Sequence, residues 1–399
     1  MERPQRTEPP RVGDGREGGL GIGMPSYVPT TRRCARCREL CLHAAESKPT
    51  LGAVMRQALP FLVLCWLLVF SAGGSAVVGT SPESAQIGTN SPPSTPPFSF
   101  IAIGCMPYAR LPGSMDAYGR VLNEIERHQP VFTVHLGDIM GGEEICTDAL
   151  LEKRRQEFDS ISPALVFTPG DNEWTDVHRT GKFQPLERLH RIRELFFPTE
   201  FSRGRRPLAL VTQRRSTAFS KFVENARWTH GGILFATVHV VGSGNNYQPM
   251  VPGAVEEWKE RDEANAAWLR EAFLEAKSIH AAGVAVFCQA NPIPDHIGFA
   301  RFLDTLAAES NAFGKPVLLV HADEHRYRFE VGYRPKKSAP PVVNLTRVET
   351  FGASDFHGVL VTVDPTSNAV FLPGPLIVPG NPLPRLPRPP APPPKPAAP

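Results

Sequence analysis

Side chains with oxygen and nitrogen donors recur in this sequence directly after short apolar segments. A single Gly-Asp pair at such a place is usually a turn in which the aspartate caps its own backbone. Here two Gly-Asp pairs and one Asp-x-His follow three separate segments, which favours a metal site over three independent turns. The groups after these and a further apolar segment that can bind a cation include Asp138, Asp171, Gln289, Asp323 and His325.

The apolar segments are predicted to be buried strands, with helices between them. We expect strands over 98–104, 131–136, 164–168, 233–241, 283–289 and 316–321, and helices over 118–128, 149–158, 186–197, 255–278 and 297–310. Alternation of apolar strands with helices indicates an α/β fold with largely parallel sheets. Ligands of such folds bind beyond the carboxyl ends of the strands, so the candidate ligands should meet there.

The last part of the body alternates apolar and polar residues with a period of two and lacks a helical pattern. This alternation predicts antiparallel strands that close a sheet edge. The segments concerned are 326–333, 341–349, 358–364 and 369–372.

Four segments resemble the calcineurin-like metallophosphoesterase superfamily and, more narrowly, an exported bacterial branch of it. They are FTVHLGDIMGG at 132–142, TPGDNEWTDVHR at 168–179, ARWTHGGILFATVHVVGS at 226–243 and KPVLLVHADEHRYRFE at 315–330. The similarity covers about residues 98–364. It implies a two-sheet α/β sandwich flanked by helices, and hydrolysis of a phosphomonoester or phosphodiester by a metal-bound hydroxide.

The resemblance also implies roles for individual residues. Asp138 matches the aspartate that bridges two metal ions, and Asn172 takes the place of the residue that steadies the leaving group. Both are therefore the expected catalytic residues. The remaining ligand positions correspond to Asp171, Gln289, Asp323 and His325. Oxygen atoms at these positions favour two divalent ions of the Mn²⁺, Mg²⁺, Fe or Ca²⁺ kind over zinc.

Cys105 departs from the family pattern, because the opening motif would place an aspartate there. A thiol, with a reference pKa of about 8.5, replaces a carboxylate poorly at a hard cation. Val177 stands where this branch is expected to have a cysteine, which leaves a disulfide between Cys105 and Cys146 open. If the metal position is lost, the alternative function is that of a pseudoenzyme, a cell-surface binding module with the same fold.

Four histidines are candidates for hydrogen bonding to the metal ligands without binding the metal themselves. They are His135, His178, His321 and His357. For His135 and His321, which end strands, hydrogen bonding in the core is an equal alternative. His178 follows a turn, where a histidine is more often solvated. His357, in a loop after Asp355, is the best additional ligand candidate outside the motifs.

Composition limits the partners and the extent of the globular part. The chain is 41% hydrophobic, which excludes a disordered protein. From residue 55 onward, 34 Lys and Arg balance 34 Asp and Glu, so a nucleic-acid-binding surface is not supported. The resemblance to metallophosphoesterases implies a phosphate-ester substrate as the partner. Of the 42 prolines, 13 fall in 373–399, which predicts a Pro-rich polyproline II tail outside the core.

The segment before the body has the features of an export signal. An apolar run at 58–70 follows Arg56 and precedes small residues at 71–76. This pattern predicts a signal peptide over 55–78, or an uncleaved membrane anchor, and a domain that is periplasmic, secreted or anchored outside the cytoplasm. Met55 is then the expected start, and 1–54 a disordered or untranslated extension. A Ser/Thr/Pro linker over 79–97 leads to the domain at 98–372.

Overall fold

This computed structural model describes residues 96–384. Two β-sheets packed face to face form the centre of this part of the chain. The first sheet has the spatial order β12 (Phe371–Leu376), β11 (Gly358–Val363), β1 (Phe98–Ile103), β2 (Phe132–His135) and β3 (Ala164–Phe167). The second has the order β4 (Val211–Thr212), β5 (Ala226–His230), β6 (Ile233–Thr237), β7 (Gly283–Phe287), β8 (Val317–His321), β10 (Leu345–Glu349) and β9 (Arg328–Val331).

Helices cover the outer face of each sheet. Those on the first sheet are α1 (Ser114–His128), α2 (Asp148–Ser160) and α3 (Pro185–Phe196). Those on the second are α5 (Ala254–Ser278) and α6 (Ala300–Phe313), while α4 (Gly242–Asn245) is a single turn. Short 3₁₀ turns span Thr175–Thr180, Gln213–Arg215 and Ile297–Phe299. The predicted two-sheet α/β sandwich flanked by helices is confirmed.

Successive side chains of β1 point to opposite faces of the first sheet and so pack in two different layers. Phe100 points into the space between the sheets, whereas its neighbour Ile101 packs with the helices on the outer face. The Phe100 ring meets Phe235 and Phe287 of the second sheet edge to face, with centroids 5.8 and 5.6 Å apart. Burial of such a side chain contributes about 1.5–3 kcal/mol, so this aromatic layer fixes the sheets against each other.

Strand directions bring the carboxyl ends of both sheets to one edge of the molecule. β1, β2 and β3 run parallel in the first sheet. β6, β7, β8 and β10 run parallel in the second. The predicted antiparallel ending is confirmed for β9 with β10 and for β11 with β12 and β1, whereas the other partner of β10, β8, is parallel to it. A period of two identifies a half-buried strand but carries no information about direction, and the chain returns to the first sheet only at β11.

The segment predicted as a Pro-rich tail begins later in the structure than residue 373. β12 continues to Leu376, and Val378 is 2% exposed in the same core. The Asn381 amide Nδ2 donates hydrogen bonds to the carbonyl oxygens of Ala117 at 3.1 Å and Phe356 at 2.6 Å. Prolines are accepted in β12 because it is the outermost strand, whose free edge needs no N–H donors.

Within residues 96–384, no helix combines the length and apolar character needed to cross a membrane. The predicted signal peptide or anchor, the extension before it and most of the linker lie outside the described residues. Residues 385–399 of the predicted tail also lie outside them.

Candidate metal centre

Loops from both sheets bring the candidate ligands together at the carboxyl edge. Asp138 and Asp171 follow β2 and β3 of the first sheet, whereas Gln289 and Asp323 follow β7 and β8 of the second. The Gln289 amide Nε2 donates to Asp138 Oδ2 at 3.1 Å, to Asp171 Oδ1 at 3.0 Å and to Asp323 Oδ1 at 3.4 Å. The predicted meeting of strand ends is therefore present.

Two groups of side chains have ligand atoms close enough to hold a metal ion. Cys105, Asp138 and His325 form the first, here called the thiol cluster, and Asp138, Asp171 and Asp323 the second, the carboxylate cluster. Within each cluster one ligand atom per residue lies within 4.8 Å of the others. Asp138 belongs to both, which is the arrangement expected of a carboxylate shared by two cations.

Strained backbone marks the same residues. Cys105, Asp138, Asp323 and His325 all adopt positive φ angles, of 52°, 54°, 89° and 62°. Few non-glycine residues occupy this left-handed region, and cysteine has no side-chain bond that favours it. Such strain costs roughly 1–3 kcal/mol per residue and concentrates at functional sites. Aspartate and histidine enter this region more readily than most residues, so Cys105 is the least expected of the four.

The carboxylate cluster carries negative charge that the protein itself does not balance. Asp138 is 3% exposed and Asp171 6% exposed. Burial, followed by the charges of Asp171, Glu173 and Asp323, raises the pKa of Asp138 well above its ordinary value. Burial and then Asp171 raise the pKa of Asp323 to about 7. Among the described residues, no lysine or arginine forms an ion pair with these three aspartates. Bound divalent cations would supply the missing charge, so the residues fit them.

Glu173 lies beneath the carboxylate cluster and was not assigned from the sequence. Its side chain is fully buried, and Oε1 accepts hydrogen bonds from the Gly170 N–H at 2.6 Å and the Asp138 N–H at 3.2 Å. Its Oε2 atom is buried without a hydrogen-bond partner. Burial raises the pKa of this carboxyl to about 7. Glu173 thus ties the loop after β2 to the loop after β3.

A second unpredicted group extends the site toward solvent. The Ser243 hydroxyl lies 2.9 Å from Asp171 Oδ2 and 2.8 Å from Asp176 Oδ1. Arg179 Nη1 pairs with Asp176 Oδ2 at 2.6 Å, and Arg179 Nη2 donates to Ser243 Oγ at 3.1 Å. The Arg179 side chain is 54% exposed, so a guanidinium stands at the mouth of the site with further donors available.

Asn172 occupies the position expected from the sequence, beside the shared carboxylate. Its backbone N–H donates to Asp138 Oδ1 at 3.2 Å, and its amide Nδ2 donates to Tyr108 Oη at 3.0 Å and to the Met140 carbonyl at 3.1 Å. Tyr108 Oη also lies 3.3 Å from Asp138 Oδ2 and 3.2 Å from His325 Nε2. Tyr108 was not predicted, and its distance of 30 residues from Asp138 hides the contact from sequence patterns.

Gln289 lies in the centre but does not present the ligand atom that the sequence analysis assigned to it. Its Oε1 accepts the Gly242 N–H at 2.6 Å, which fixes the orientation of the amide. The atom that faces the three aspartates is therefore Nε2, whose two hydrogens leave no lone pair for a cation. In this arrangement Gln289 cross-links the carboxylates as a donor.

The disulfide left open by the sequence does not form. Cys105, Cys146 and Cys288 are free thiols, and they are the only cysteines among the described residues. Cys105 Sγ lies 3.3 Å from Asp138 Oδ2, whereas Cys146 Sγ donates to the Glu173 carbonyl at 3.3 Å. Burial, then the charges of Asp138 and Asp323, raise the pKa of the Cys105 thiol well above its ordinary value.

Two of the four additional histidines end strands and belong to the core. His135 Nε2 contacts the Met106 carbonyl at 3.1 Å, and burial lowers the pKa of His135 to about 3. His321 Nδ1 contacts the Ala322 carbonyl at 2.8 Å, and its Nε2 accepts a hydrogen bond from Arg347 at 2.8 Å. None of these hydrogen bonds is to a candidate ligand.

The other two histidines serve local structure. His178 Nδ1 lies 2.7 Å from the Thr175 carbonyl of its own 3₁₀ turn. His357 Nδ1 accepts the Val378 N–H at 3.1 Å, and its Nε2 contacts the Pro382 carbonyl at 2.9 Å. Both ring nitrogens of His357 are thus engaged by the C-terminal segment, which removes it from the candidate ligands.

Comparisons with known proteins give similarity at the level of structure alone. No protein-family model and no curated protein matches the chain. A dimetal phosphatase from Danio rerio is similar over 69% of this chain and 98% of its own, with 12% identity and a TM-score of 0.45. PhoD is similar over 68% of this chain and 64% of its own, with 12% identity and a TM-score of 0.41. A 5'-nucleotidase from Candida albicans is similar over 66% of this chain and 48% of its own, with 8% identity and a TM-score of 0.33. At these identities and TM-scores the similarities assign no metal, substrate or residue role to this chain.

Proposed function

We propose that the described domain is a phosphoester hydrolase that depends on divalent cations. The observation that carries this proposal is the position of Asp138, a buried carboxylate common to both ligand clusters and without a cationic partner among the described residues. Divalent cations, when bound, lower the pKa of water and neutralise the charge of a phosphoryl group. Asp138, Asp171, Asp323 and His325 would hold them.

Residues around the ligands would bind and orient the substrate. Arg179 supplies a guanidinium, the group best suited to two-point contact with phosphate oxygens. Asp176 and Ser243 hold this guanidinium at the mouth of the site. Asn172 lies beside Asp138, and the hydrogen bonds from its Nδ2 to Tyr108 and Met140 fix its orientation and use both amide hydrogens.

Hydrolysis of chromogenic substrates tests this function. Purified protein should cleave a nitrophenyl phosphomonoester or phosphodiester with Mn²⁺ and lose that activity in chelator. Asp138→Asn should lower the rate at least about a hundredfold, since the carboxylate serves both clusters. Asp304→Asn is the control, because Asp304 is an exposed residue of α6 paired with Lys336. Equal rates in the two variants would refute the assignment.

The orientation of Gln289 is the observation that favours a second candidate function, a pseudoenzyme used as a binding module. Its amide hydrogens already occupy hydrogen bonds with three carboxylates, which partly satisfies the site without a cation. Metal analysis separates the two functions. A hydrolase should bind Mn²⁺ with measurable heat and turn over substrate, whereas a pseudoenzyme should do neither.

We also propose that the domain works outside the cytoplasm. Support comes from the sequence of 55–78, with its basic start, apolar run and small-residue exit. Fractionation of cells that produce the full chain should place the domain in the exported or membrane fraction. Recovery in the cytoplasmic fraction, together with intact 55–78, would contradict export and leave the hydrolase proposal untouched.

A further inference from the structure

The two ligand clusters differ in chemistry although they share Asp138. The carboxylate cluster offers oxygen atoms only, from Asp138, Asp171 and Asp323. The thiol cluster offers a sulfur, an imidazole nitrogen and an oxygen, from Cys105, His325 and Asp138. Sulfur and imidazole ligands suit Zn²⁺ and related soft or borderline ions, whereas sets of oxygen atoms suit Mg²⁺ or Mn²⁺.

We propose that the site holds two different metals, a zinc-class ion at the thiol cluster and an oxygen-preferring ion at the carboxylate cluster. This inference rests on the proposed cation site. The sequence alone led to the expectation that a thiol at position 105 weakens metal binding. Under this proposal Cys105 instead determines which metal binds at the thiol cluster. A chain with the usual carboxylate at this position would lack that selection.

Cys105 lies at the edge of the core between the sheets, and its thiol contacts the candidate ligands. Its Sγ lies 3.3 Å from Asp138 Oδ2 and accepts the Asp323 N–H at 3.3 Å, so both contacts are with other candidate ligands. Cys146 and Cys288 instead donate to backbone carbonyls, at 3.3 and 3.6 Å, as ordinary buried thiols do. Only Cys105 of these three has a positive φ.

His325 completes the thiol cluster from the second sheet. Its φ of 62° turns the ring toward the centre, where Nε2 lies 3.2 Å from Tyr108 Oη. Gly352 lies against both residues: a Cβ there would fall 2.5 Å from the His325 ring and 2.9 Å from Cys105 Cβ. The absence of a side chain at 352 thus lets thiol and imidazole approach each other.

Cobalt is the probe for the thiol cluster, because Co²⁺ bound to a thiolate gives a charge-transfer band in the near ultraviolet. The full chain is used in a background in which Cys34, Cys37, Cys41 and Cys65 are serine, so that three thiols remain. Reduced, chelator-stripped protein should develop the band on addition of Co²⁺. Zn²⁺ should abolish it, and Mn²⁺ at the same concentration should not.

Matched serine variants identify the sulfur. Cys105→Ser should lose the band and bind Zn²⁺ about tenfold or more weakly, with Mn²⁺ binding changed little. Cys146→Ser and Cys288→Ser should keep both. Zinc-edge X-ray absorption of the background protein, which needs no further variant, should show one sulfur at about 2.3 Å.

Three results would overturn the inference: no cobalt band, a band that survives Cys105→Ser, or displacement of Co²⁺ by Mn²⁺ as readily as by Zn²⁺. If Mn²⁺ still binds and supports hydrolysis in those cases, only the inference of two different metals fails, and the proposed hydrolase function stands. If the protein binds no divalent cation, the proposed function fails with it.

Discussion

Asp138 concentrates an electrostatic cost that a bound cation would remove. Other buried carboxylates lie close to it, and their charges raise its pKa well above the ordinary value. Removal of one negative charge should therefore relieve the metal-free protein while it removes the shared ligand. Stability and metal binding are thus expected to change in opposite directions at this residue.

Asp138→Asn tests that opposition in thermal melts. In chelator at pH 8 the variant should melt at a higher temperature than the wild type. Mn²⁺ at 100 times its dissociation constant should stabilise the wild type by about 2.7 kcal/mol and the variant far less. The same Mn²⁺ shift in both proteins would contradict the role of Asp138 as a ligand.

Arg179→Ala should weaken substrate binding without affecting the metals. Loss of a charge-assisted contact corresponds to about 1.5–3 kcal/mol in kcat/KM, mostly through KM. The matched control is Arg206→Ala, because Arg206 donates to the Ser162 carbonyl and Gln129 near the opposite ends of the strands. Calorimetry with Mn²⁺ should give the same affinity for all three proteins. An unchanged KM in Arg179→Ala would remove Arg179 from the site.

The sequence was sufficient to predict that strand-end carboxylates such as Asp138 and Asp171 lie in one cluster. It was insufficient where the role depends on a particular atom. Gln289 contains an amide oxygen that could bind a cation, but only the Gly242 N–H decides which way the amide faces. Glu173 was missed because its partners are backbone N–H groups, which leave no pattern in the side chains.

At the scale of elements, the loop after β2 is held against the loop after β3 by the absence of a side chain at Gly137. Its φ is +72°, and a Cβ there would overlap the backbone nitrogen of Gly170 and lie 2.6 Å from the Gly170 Cα. Both loops carry candidate ligands, so any separation of the two backbones changes the distance between Asp138 and Asp171.

Gly137→Ala should therefore destabilise the protein by several kcal/mol and abolish Mn²⁺-dependent stabilisation. Gly119→Ala is the matched control. Gly119 lies inside α1, and a Cβ at this position would meet no atom within 4 Å, so alanine there should stabilise by up to about 1 kcal/mol. Urea unfolding with and without Mn²⁺ measures both. Similar effects of the two substitutions would show that the close approach is unimportant.

Strong apolar patterns made most elements predictable, as with the long helix expected over 255–278 and observed as α5, Ala254–Ser278. Strand partners were less predictable. β9 and β10 join the second sheet while β11 and β12 join the first, although all four share the same alternation. Partner choice depends on how the chain crosses between layers, and this is a property of tertiary packing.

At the scale of the whole molecule, the C-terminal segment closes the first sheet. A chain that ends after residue 372 loses most of β12, the buried Val378 and the three hydrogen bonds of Asn381. We expect it to unfold at least about 3 kcal/mol more easily than a chain that ends after 384, which keeps all these contacts. Equal urea midpoints would support the earlier placement of the tail, from residue 373.

A buried ion pair between Arg193 of α3 and Glu224 links a helix of the first sheet to the second sheet. We expect its contribution to the free energy of unfolding to depend on pH. Burial alone would raise the pKa of Glu224, but Arg193 and His239 together hold it well below 4.5. A carboxylate with a lowered pKa stabilises the folded state above pH 4.5, and this contribution is lost as the pH falls below that value.

Glu224→Gln should accordingly cost about 3 kcal/mol at pH 7. Below pH 4.5 the difference from wild type should shrink by about 1.4 kcal/mol per pH unit. Glu263→Gln, at an exposed position of α5, is the control and should show no such trend. Urea unfolding at pH 7, 4 and 3 gives the comparison. A difference that is constant with pH would exclude the ion pair as its cause.

The pairing of β1 with β11 has a consequence for the order of events during synthesis. Phe98, at the start of the domain, lies opposite Val363, near its end. The first sheet therefore cannot close while the ribosome is still making the middle of the chain, and β1 must wait with one edge unpaired. The candidate ligands that follow β2 and β3 are translated early, yet they can meet the carboxylate that follows β8 only after most of the chain has emerged. If the proposed metal site is correct, newly made protein should acquire its metals late and not from a folded N-terminal half.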